Sequence, residues 1–168
     1  MNQSQHQICL LLGSNLEPEK NLLQGVNHLA QQVTILQTSS VWESKAVGSD
    51  GPNFLNAAVL ALTSLDADSL KKDLVRPIEA RLGRVRTQDK NAPRPIDIDL
   101  IFFEQQLLDT TLCQYAHSAV PVAELVPHYQ SETKEYLKDI ASSLADLTPI
   151  WIRLDLSDYP FATKFKTI

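Results

Sequence analysis

The spacing of apolar residues changes several times along the chain, and each change marks an expected element. Residues 8–12 form a continuous apolar run that ends in a Gly-Ser-Asn turn, which is typical of a buried strand. From Glu17 to Gln32 the apolar residues lie three and four apart, which predicts a helix. Residues 33–42 are strand-like again, and glycine, serine, aspartate and proline at residues 48–52 predict a loop.

The next part of the chain repeats this order. Residues 54–62 are an apolar run that we interpret as a strand from its context, and residues 66–82 have helical spacing up to a terminating glycine. A run of branched and aromatic residues from Pro95 to Phe103 predicts another strand. Glu132 to Leu147 is a third expected helix, whereas residues 151–168 are apolar without a pattern. The order strand-helix-strand-strand-helix-strand predicts an α+β, ferredoxin-like sandwich with helices packed on one face of a mostly antiparallel sheet.

Composition narrows the class of protein and its partners. The chain has 168 residues, of which 43% are hydrophobic and 21% charged, so we expect one domain over residues 1–168 with a tail at 1–6. A net charge of −5 disfavours nucleic acid and membrane surfaces as partners and leaves small molecules. The first seven residues are polar, so we expect no secretory signal and a cytoplasmic location. In the absence of an oligomerisation signal we expect a monomer.

The strongest chemical signal is a pair of carboxylates on the strand expected at 95–103. Asp97 and Asp99 are two residues apart, so on a strand they share one face while the neighbouring apolar residues share the other. Adjacent carboxylates repel each other, and Mg²⁺ commonly binds one or two carboxylates together with substrate phosphates. Four basic residues precede the pair, and they are Arg84, Arg86, Lys90 and Arg94. The block therefore predicts a site for a metal ion and nucleotide phosphates.

Two further motifs accompany this block. Leu12 to Leu16 read LGSNL after the first strand, and Phe54 to Ala58 read FLNAA on the third. A third motif runs from Ile78 to Asp99 and contains glycine, arginines and aspartates in a fixed order. Through these three motifs the chain resembles the 6-hydroxymethyl-7,8-dihydropterin pyrophosphokinase family over residues 8–127. The resemblance implies a magnesium-dependent transfer of pyrophosphate from ATP to the alcohol of 6-hydroxymethyl-7,8-dihydropterin, a step of folate biosynthesis that releases AMP.

The resemblance also implies which residues form the site. Asp97 and Asp99 would hold two Mg²⁺ ions, and these carboxylates with Arg84 and Arg94 would form the catalytic group. The residues expected to bind ATP are Glu79, Arg84, Arg86, Lys90, Arg94 and His117. The residues expected to bind the pterin are Ser44, Val47, Gly48, Phe54 and Asn56. Of the residues expected to bind the pterin, Phe54 would stack on the ring and the amide of Asn56 would hydrogen-bond to it.

The chain departs from the family pattern at several places. Lys90 and Asn91 occupy the positions of an arginine-tryptophan pair in the mobile loop, and Ala92 follows where glycine is usual. The segment after His117 is short and lacks a further arginine and a second stacking aromatic, and the usual Thr-Pro is missing after the second strand. These departures, with a divergent segment at 128–168, leave three hypotheses open. They are the pyrophosphokinase, an enzyme for a different alcohol, and a catalytically weakened paralogue that binds nucleotide or pterin.

Several site candidates also have purely structural interpretations, and Asp97 and Asp99 could be two ordinary carboxylates on a solvent-facing strand. Arg86 follows a helix C-terminus, where a cation is favourable. Glu79 could be an exposed helical residue paired with a nearby arginine, and Phe54 could be a core aromatic at the start of a strand. The position of each side chain in the fold separates the two interpretations.

Overall fold

The computed structural model describes residues 5–48, 50–86, 88 and 92–156, and its central element is a seven-stranded sheet. The strands are β1 (His6–Ser14), β2 (Thr34–Thr38), β3 (Trp42–Ser44), β4 (Phe54–Thr63), β5 (Asp97–Phe103), β6 (Gln106–Leu107) and β7 (Ile150–Ile152). The helices are α1 (Pro18–Ala30), α2 (Ala67–Ser69), α3 (Arg76–Arg81), α4 (Ala116–Leu125) and α5 (Leu137–Leu147). A π-helical segment, Leu70–Val75, joins α2 to α3, and 3₁₀ turns lie at Leu112–Gln114 and Leu154–Leu156.

All strand pairs in the described sheet are antiparallel. The strands follow the order β6-β5-β1-β4-β3-β7, and β2 pairs with β4 beyond the end of β3. The register places Thr34 opposite Leu62 and Trp42 opposite Asn56, so β2 and β3 pair with successive parts of the same long strand. With β2 and β3 counted as one interrupted strand, the chain order up to β5 is the ferredoxin-like one. The predicted α+β fold is confirmed.

The expectation that helices pack on one face is wrong, because α4 and α5 cover the second face of the sheet and create a second core. Along β1, Ile8, Leu10 and Leu12 belong to a core with α1 and the α2–α3 segment, whereas Cys9 and Leu11 belong to a core with α4 and α5. Because both faces are covered, the residues of β1 are apolar without alternation. Burial raises the pKa of the Cys9 thiol to about 12, so this cysteine serves as a packing residue.

The structure differs from the sequence prediction mainly at element boundaries. The strand expected over 33–42 is interrupted, because the backbone N–H of Ser39 donates to Ala58 O and its hydroxyl accepts from Ala58 N. These bonds replace regular strand pairing at the break. The helix expected from Glu132 begins only at Leu137, after a turn.

The sequence pattern predicts neither α4 nor β7. Helix α4 contains Pro121 and buries eight of its ten residues, so it has no polar face that would mark it as a helix. Strand β7 has three residues and pairs with β3, and so short a strand leaves no periodic signal. In the described part of the chain, no helix combines the length and apolar character needed to cross a bilayer.

The contact between α1 and the sheet depends on Leu12. Its side chain is fully buried, and α1 approaches it at Gly25, where an added Cβ would lie 3.1 Å from Leu12 Cδ2. We expect Leu12→Ala to lower the free energy of unfolding by about 2–5 kcal/mol, because it removes buried methyl groups and leaves a cavity. Urea unfolding of the variant measures this loss.

The matched control is Val85→Ala, at a side chain that is 79% exposed. It should change the free energy of unfolding by less than about 0.5 kcal/mol. Equal losses in the two variants would contradict the importance of the α1 contact.

Candidate active site

A cavity of about 210 Å³ opens where β1, β3, β4 and β5 meet the start of α4. Eight of the residues predicted from the sequence line it, and they are Ser44, Val47, Phe54, Asn56, Arg94, Asp97, Asp99 and His117. The other lining residues are Leu11, Gly13, Lys45, Ala46 and Ser118. Residues that the sequence analysis assigns to metal, ATP and pterin thus face one common cavity.

Four of the remaining candidates belong to the described residues, and they are not among those that line the cavity. Glu79 and Arg84 are largely buried beside β5, while Arg86 is mostly exposed. Gly48 has a φ of 74°, a left-handed conformation that glycine adopts readily, in the loop after β3. Lys90 lies outside the described residues.

Asp97 is the centre of an ionic cluster at the start of β5. Its Oδ1 lies 2.8 Å from Arg84 Nη1, and its Oδ2 lies 2.6 Å from Arg94 Nη1. The same Nη1 of Arg84 donates to the carbonyl oxygen of Ile96 at 2.8 Å, and Arg94 Nε donates to the carbonyl oxygen of Ala92 at 3.3 Å. Charge-assisted hydrogen bonds are stronger than neutral ones. Asp97 therefore fixes two guanidinium groups beside the cavity.

Glu79 is a buried carboxylate that joins α3 to β5. It is 2% exposed, and its Oε1 accepts a hydrogen bond from Ile98 N at 3.0 Å. Its Oε2 lies 2.8 Å from Arg86 Nη2 and 4.0 Å from Arg84 Nε. Burial raises the pKa of Glu79, while the Ile98 N–H and the two arginines oppose this rise. The interpretation as an exposed helical residue is therefore wrong, although the arginine pairing that it proposed is present.

Asp99 has a different environment from that of Asp97. Loss of hydration raises the pKa of Asp99 to about 7, and the like charges of Asp97 and Asp109 add to the rise. Within the described residues, no group of three or more histidine, cysteine or acidic side chains is placed to hold a metal ion. A cation at the Asp97–Asp99 pair would therefore take its other oxygen ligands from substrate or water.

The wall formed by β3 and β4 is polar and aromatic. Asn56 is 3% exposed, and its Nδ2 donates to Ser44 Oγ at 3.0 Å. A Cβ at Gly13 would lie 3.3 Å from Asn56 Oδ1, so glycine leaves room beside this amide. The Phe54 ring centroid lies 6.0 Å from Arg94 Cζ, at the limit of a cation–π contact. An amide beside an aromatic ring suits a flat heterocycle that forms hydrogen bonds.

The turn after β1 connects the two loops at the cavity. Asn15 Oδ1 accepts from Arg94 N at 2.7 Å, and Asn15 N donates to Arg94 O at 3.2 Å. Its side-chain amide donates to the carbonyl oxygen of Pro52 at 3.3 Å, and Ser14 Oγ donates to the carbonyl oxygen of Pro95. The motif at residues 12–16 therefore has a structural role at this end of the sheet.

Helix α4 brings His117 and Ser118 to the cavity. The His117 ring stacks on Tyr115 with 5.4 Å between the ring centroids. Ser118 is 4% exposed, and no sequence pattern indicates it because almost all of α4 is buried. Lys45 is also missed, although its position between the predicted Ser44 and Val47 is a usable signal.

The sequence that builds this cavity matches a known protein family. Residues 9–146 match the family described as 7,8-dihydro-6-hydroxymethylpterin-pyrophosphokinase (HPPK). The chain belongs to this family. A Campylobacter jejuni 2-amino-4-hydroxy-6-hydroxymethyldihydropteridine pyrophosphokinase is 38% identical over 110 residues, which cover 63% of this chain and 69% of that protein. The protein of the same name from Aquifex aeolicus is 30% identical over 144 residues, which cover 77% of this chain and 89% of that protein.

Solved structures support the fold of this chain. A crystal structure of Plasmodium falciparum HPPK-DHPS with SDX-DHP superimposes with a TM-score of 0.66 at 11% identity. The superposition covers 95% of this chain and 47% of the other, so this chain spans less than half of that longer protein. At this level of identity the likeness concerns the fold alone, whereas the family match rests on sequence.

Partial burial of His117 makes the stability of the protein depend on pH. Loss of hydration lowers the pKa of His117 below its ordinary value of 6.5, although the charge of Asp109 opposes this. The unfolded chain therefore binds this proton more readily, so the contribution to stability is present above about pH 6.5 and is lost as the pH falls below it. We expect His117→Gln to lose less stability than wild type between about pH 7 and about pH 5, as measured by urea unfolding.

The matched control is His28→Gln on α1, outside the cavity wall. It should keep the wild-type dependence on pH over this range. Parallel curves for wild type and His117→Gln would show that burial of this imidazole has no effect on stability.

Proposed function

We propose that this protein transfers a pyrophosphoryl group from ATP to the hydroxyl of 6-hydroxymethyl-7,8-dihydropterin, which yields AMP and the pterin diphosphate of folate biosynthesis. The observation that carries the proposal is the single cavity in which Asp97, Asp99 and Arg94 meet Phe54 and Asn56. The first set suits metal-bound phosphates, and the second suits a flat ring that forms hydrogen bonds. The family match supports the same reaction.

The carboxylate pair on β5 fits Mg²⁺. Asp97 and Asp99 both face the cavity, and Mg²⁺ is usually held by one or two carboxylates together with substrate phosphates and water. These two residues would hold the metal, with two ions as the expected number. The bound metal would neutralise phosphate charge and activate the pterin hydroxyl.

Arg84 and Arg94 would stabilise the charge that develops on the phosphates. A guanidinium group is permanently charged and presents several donors in a fixed plane, so it can hold Asp97 and a phosphate oxygen together. Each arginine is also anchored by a backbone carbonyl oxygen, at Ile96 and Ala92 respectively. This transfer requires positioning and charge neutralisation more than covalent help, which a prearranged arginine pair supplies.

The other predicted contacts extend the two halves of the cavity. The further ATP contacts that we propose are Glu79, Arg86, Lys90 and His117. The pterin contacts that we propose are Ser44, Val47, Gly48, Phe54 and Asn56. Asn56 would hydrogen-bond to the polar edge of the ring and Phe54 would stack on its face. We further propose that the protein acts on these small molecules as a cytoplasmic monomer, without a nucleic-acid or membrane partner.

The test is AMP release from ATP and Mg²⁺ with and without 6-hydroxymethyl-7,8-dihydropterin. We expect release that depends on both the pterin and the metal. ATP binding without AMP release would favour a catalytically weakened paralogue, and release with a different alcohol alone would favour another substrate. Asp97→Asn and Asp99→Asn should each lower the rate on the order of a hundredfold or more, because each removes a charge that faces the metal and phosphates.

The control for the two aspartate variants is Asp139→Asn, at an exposed carboxylate on α5. It should leave the rate of AMP release unchanged. Full activity of Asp97→Asn would show that the metal does not bind where we place it.

Arg84 and Arg94 provide a second test, because lysine keeps the charge but loses the fixed fork of donors. We expect Arg84→Lys and Arg94→Lys each to lower kcat about ten- to a hundredfold, which corresponds to one charge-assisted hydrogen bond of roughly 1.5–3 kcal/mol. The measurement is steady-state AMP release. Arg81→Lys, at an exposed position of α3, is the control and should match wild type. A similar decrease in all three variants would contradict a specific role.

A further inference from the structure

The segment after α5 places an arginine among three carboxylates at the edge of the sheet. Arg153 follows β7, and its Nη2 lies 2.7 Å from Asp155 Oδ2 and 3.4 Å from Glu19 Oε1 on α1. Its Nη1 lies 3.1 Å from Glu43 Oε2 on β3, and its backbone N–H donates to the carbonyl oxygen of Val41 at 2.9 Å. Arg153 thus joins the end of the described chain to α1 and to β3.

Glu43 connects Arg153 to the loop between β3 and β4. Its Oε2 also accepts from Trp151 Nε1 at 3.3 Å, and its Oε1 accepts from Asn53 Nδ2 at 2.9 Å. Glu43 directly precedes Ser44, and Asn53 directly precedes the first residue of β4. The Glu43–Asn53 hydrogen bond therefore closes the base of the loop between β3 and β4, of which residues 45–48 and 50–53 are described.

The burial of the pair makes this arrangement depend on Arg153. The side chains of Arg153 and Glu43 are 23% and 19% exposed, respectively. Asp155 binds both Nε and Nη2 of Arg153, which fixes the plane of the guanidinium group. Without Arg153, the negative charges of Glu43 and Glu19 would repel each other across the space that the guanidinium group fills. Glu43 would also lose a largely desolvated ion-pair partner.

The loop that Glu43 closes belongs to one half of the cavity. Lys45, Ala46 and Val47 line the cavity beside Phe54, on the wall to which we assign the pterin. The carboxylates that we assign to the metal are on β5, which β1 and β4 separate from β3. A change at Arg153 should therefore act on the pterin half and leave the phosphate half unchanged.

We propose that Arg153 is a positioning residue that holds the described part of the β3–β4 loop, through Glu43 and Asn53, in the conformation that binds the pterin. The proposal rests on the function proposed above. It also gives a role to a segment that lies beyond the HPPK match, which ends at residue 146. In this chain, a short strand and one arginine outside the matched region complete the support of the site.

Steady-state kinetics of Arg153→Ala, with Arg153→Lys and Arg76→Ala beside it, tests the proposal. We expect Arg153→Ala to raise KM for the pterin about tenfold, because one partly buried ion pair is lost, with kcat and KM for ATP within about twofold of wild type. Arg153→Lys should recover part of the loss. Arg76→Ala, at an exposed arginine that starts α3, should match wild type. A fall in kcat or a rise in KM for ATP of the same size would overturn the proposal.

Amide hydrogen exchange of the substrate-free protein gives a readout that does not need activity. Arg153→Ala should speed exchange in residues 45–53 and leave β5 at the wild-type rate. Faster exchange of β1 and β5 to the same extent would show only a loss of global stability and would overturn the proposal. If Arg153→Ala does not fold, Glu43→Gln weakens the same pair and should give the same local change. A wild-type protein without pterin-dependent AMP release would refute the proposed function, while the exchange data would still decide whether Arg153 holds the loop.

Discussion

Two carboxylates, Glu79 and Asp97, hold three arginines beside α3 and β5, and the geometry of the cavity depends on that arrangement; the three are Arg84, Arg86 and Arg94. Glu79 is almost fully buried and also accepts the N–H of Ile98, so α3 and β5 are fixed relative to each other. Asp97, the first residue of β5, forms ion pairs with both Arg84 and Arg94. Each ion gives up hydration, and only the hydrogen bonds among these groups offset that cost. The network therefore tolerates the loss of a single member poorly.

The block around β5 could be predicted from the sequence because its chemistry and its strand period agree. The alternation of Asp97 and Asp99 with apolar neighbours places both carboxylates on one face, and the structure has both in the cavity. Phe54 and Asn56 follow the same rule on β4, where residues two apart share a face. Such residues can be predicted from the sequence because side chains two positions apart on a strand point to the same side of the sheet.

Other parts of the site could not be predicted, for reasons that differ from residue to residue. Ser118 lies on α4, whose nearly complete burial removes the amphipathic pattern that identifies a helix. The burial of Glu79 depends on α3 packing against β5, and its own position in the helix does not reveal this. Arg153 acts on residues 110 and 134 positions away along the chain, and no local pattern reports contacts at such separations.

The hydrogen bonds of Asn15 have a consequence for how the two halves of the cavity respond to a ligand. One side chain accepts from the backbone of Arg94 and donates to the backbone of Pro52, so both loops are anchored to the same short turn. A molecule that restrains either loop also restrains that turn, and the other loop then has less conformational freedom left to lose. Only the ordering of this one turn is shared between the two halves, so the coupling that it can carry is small.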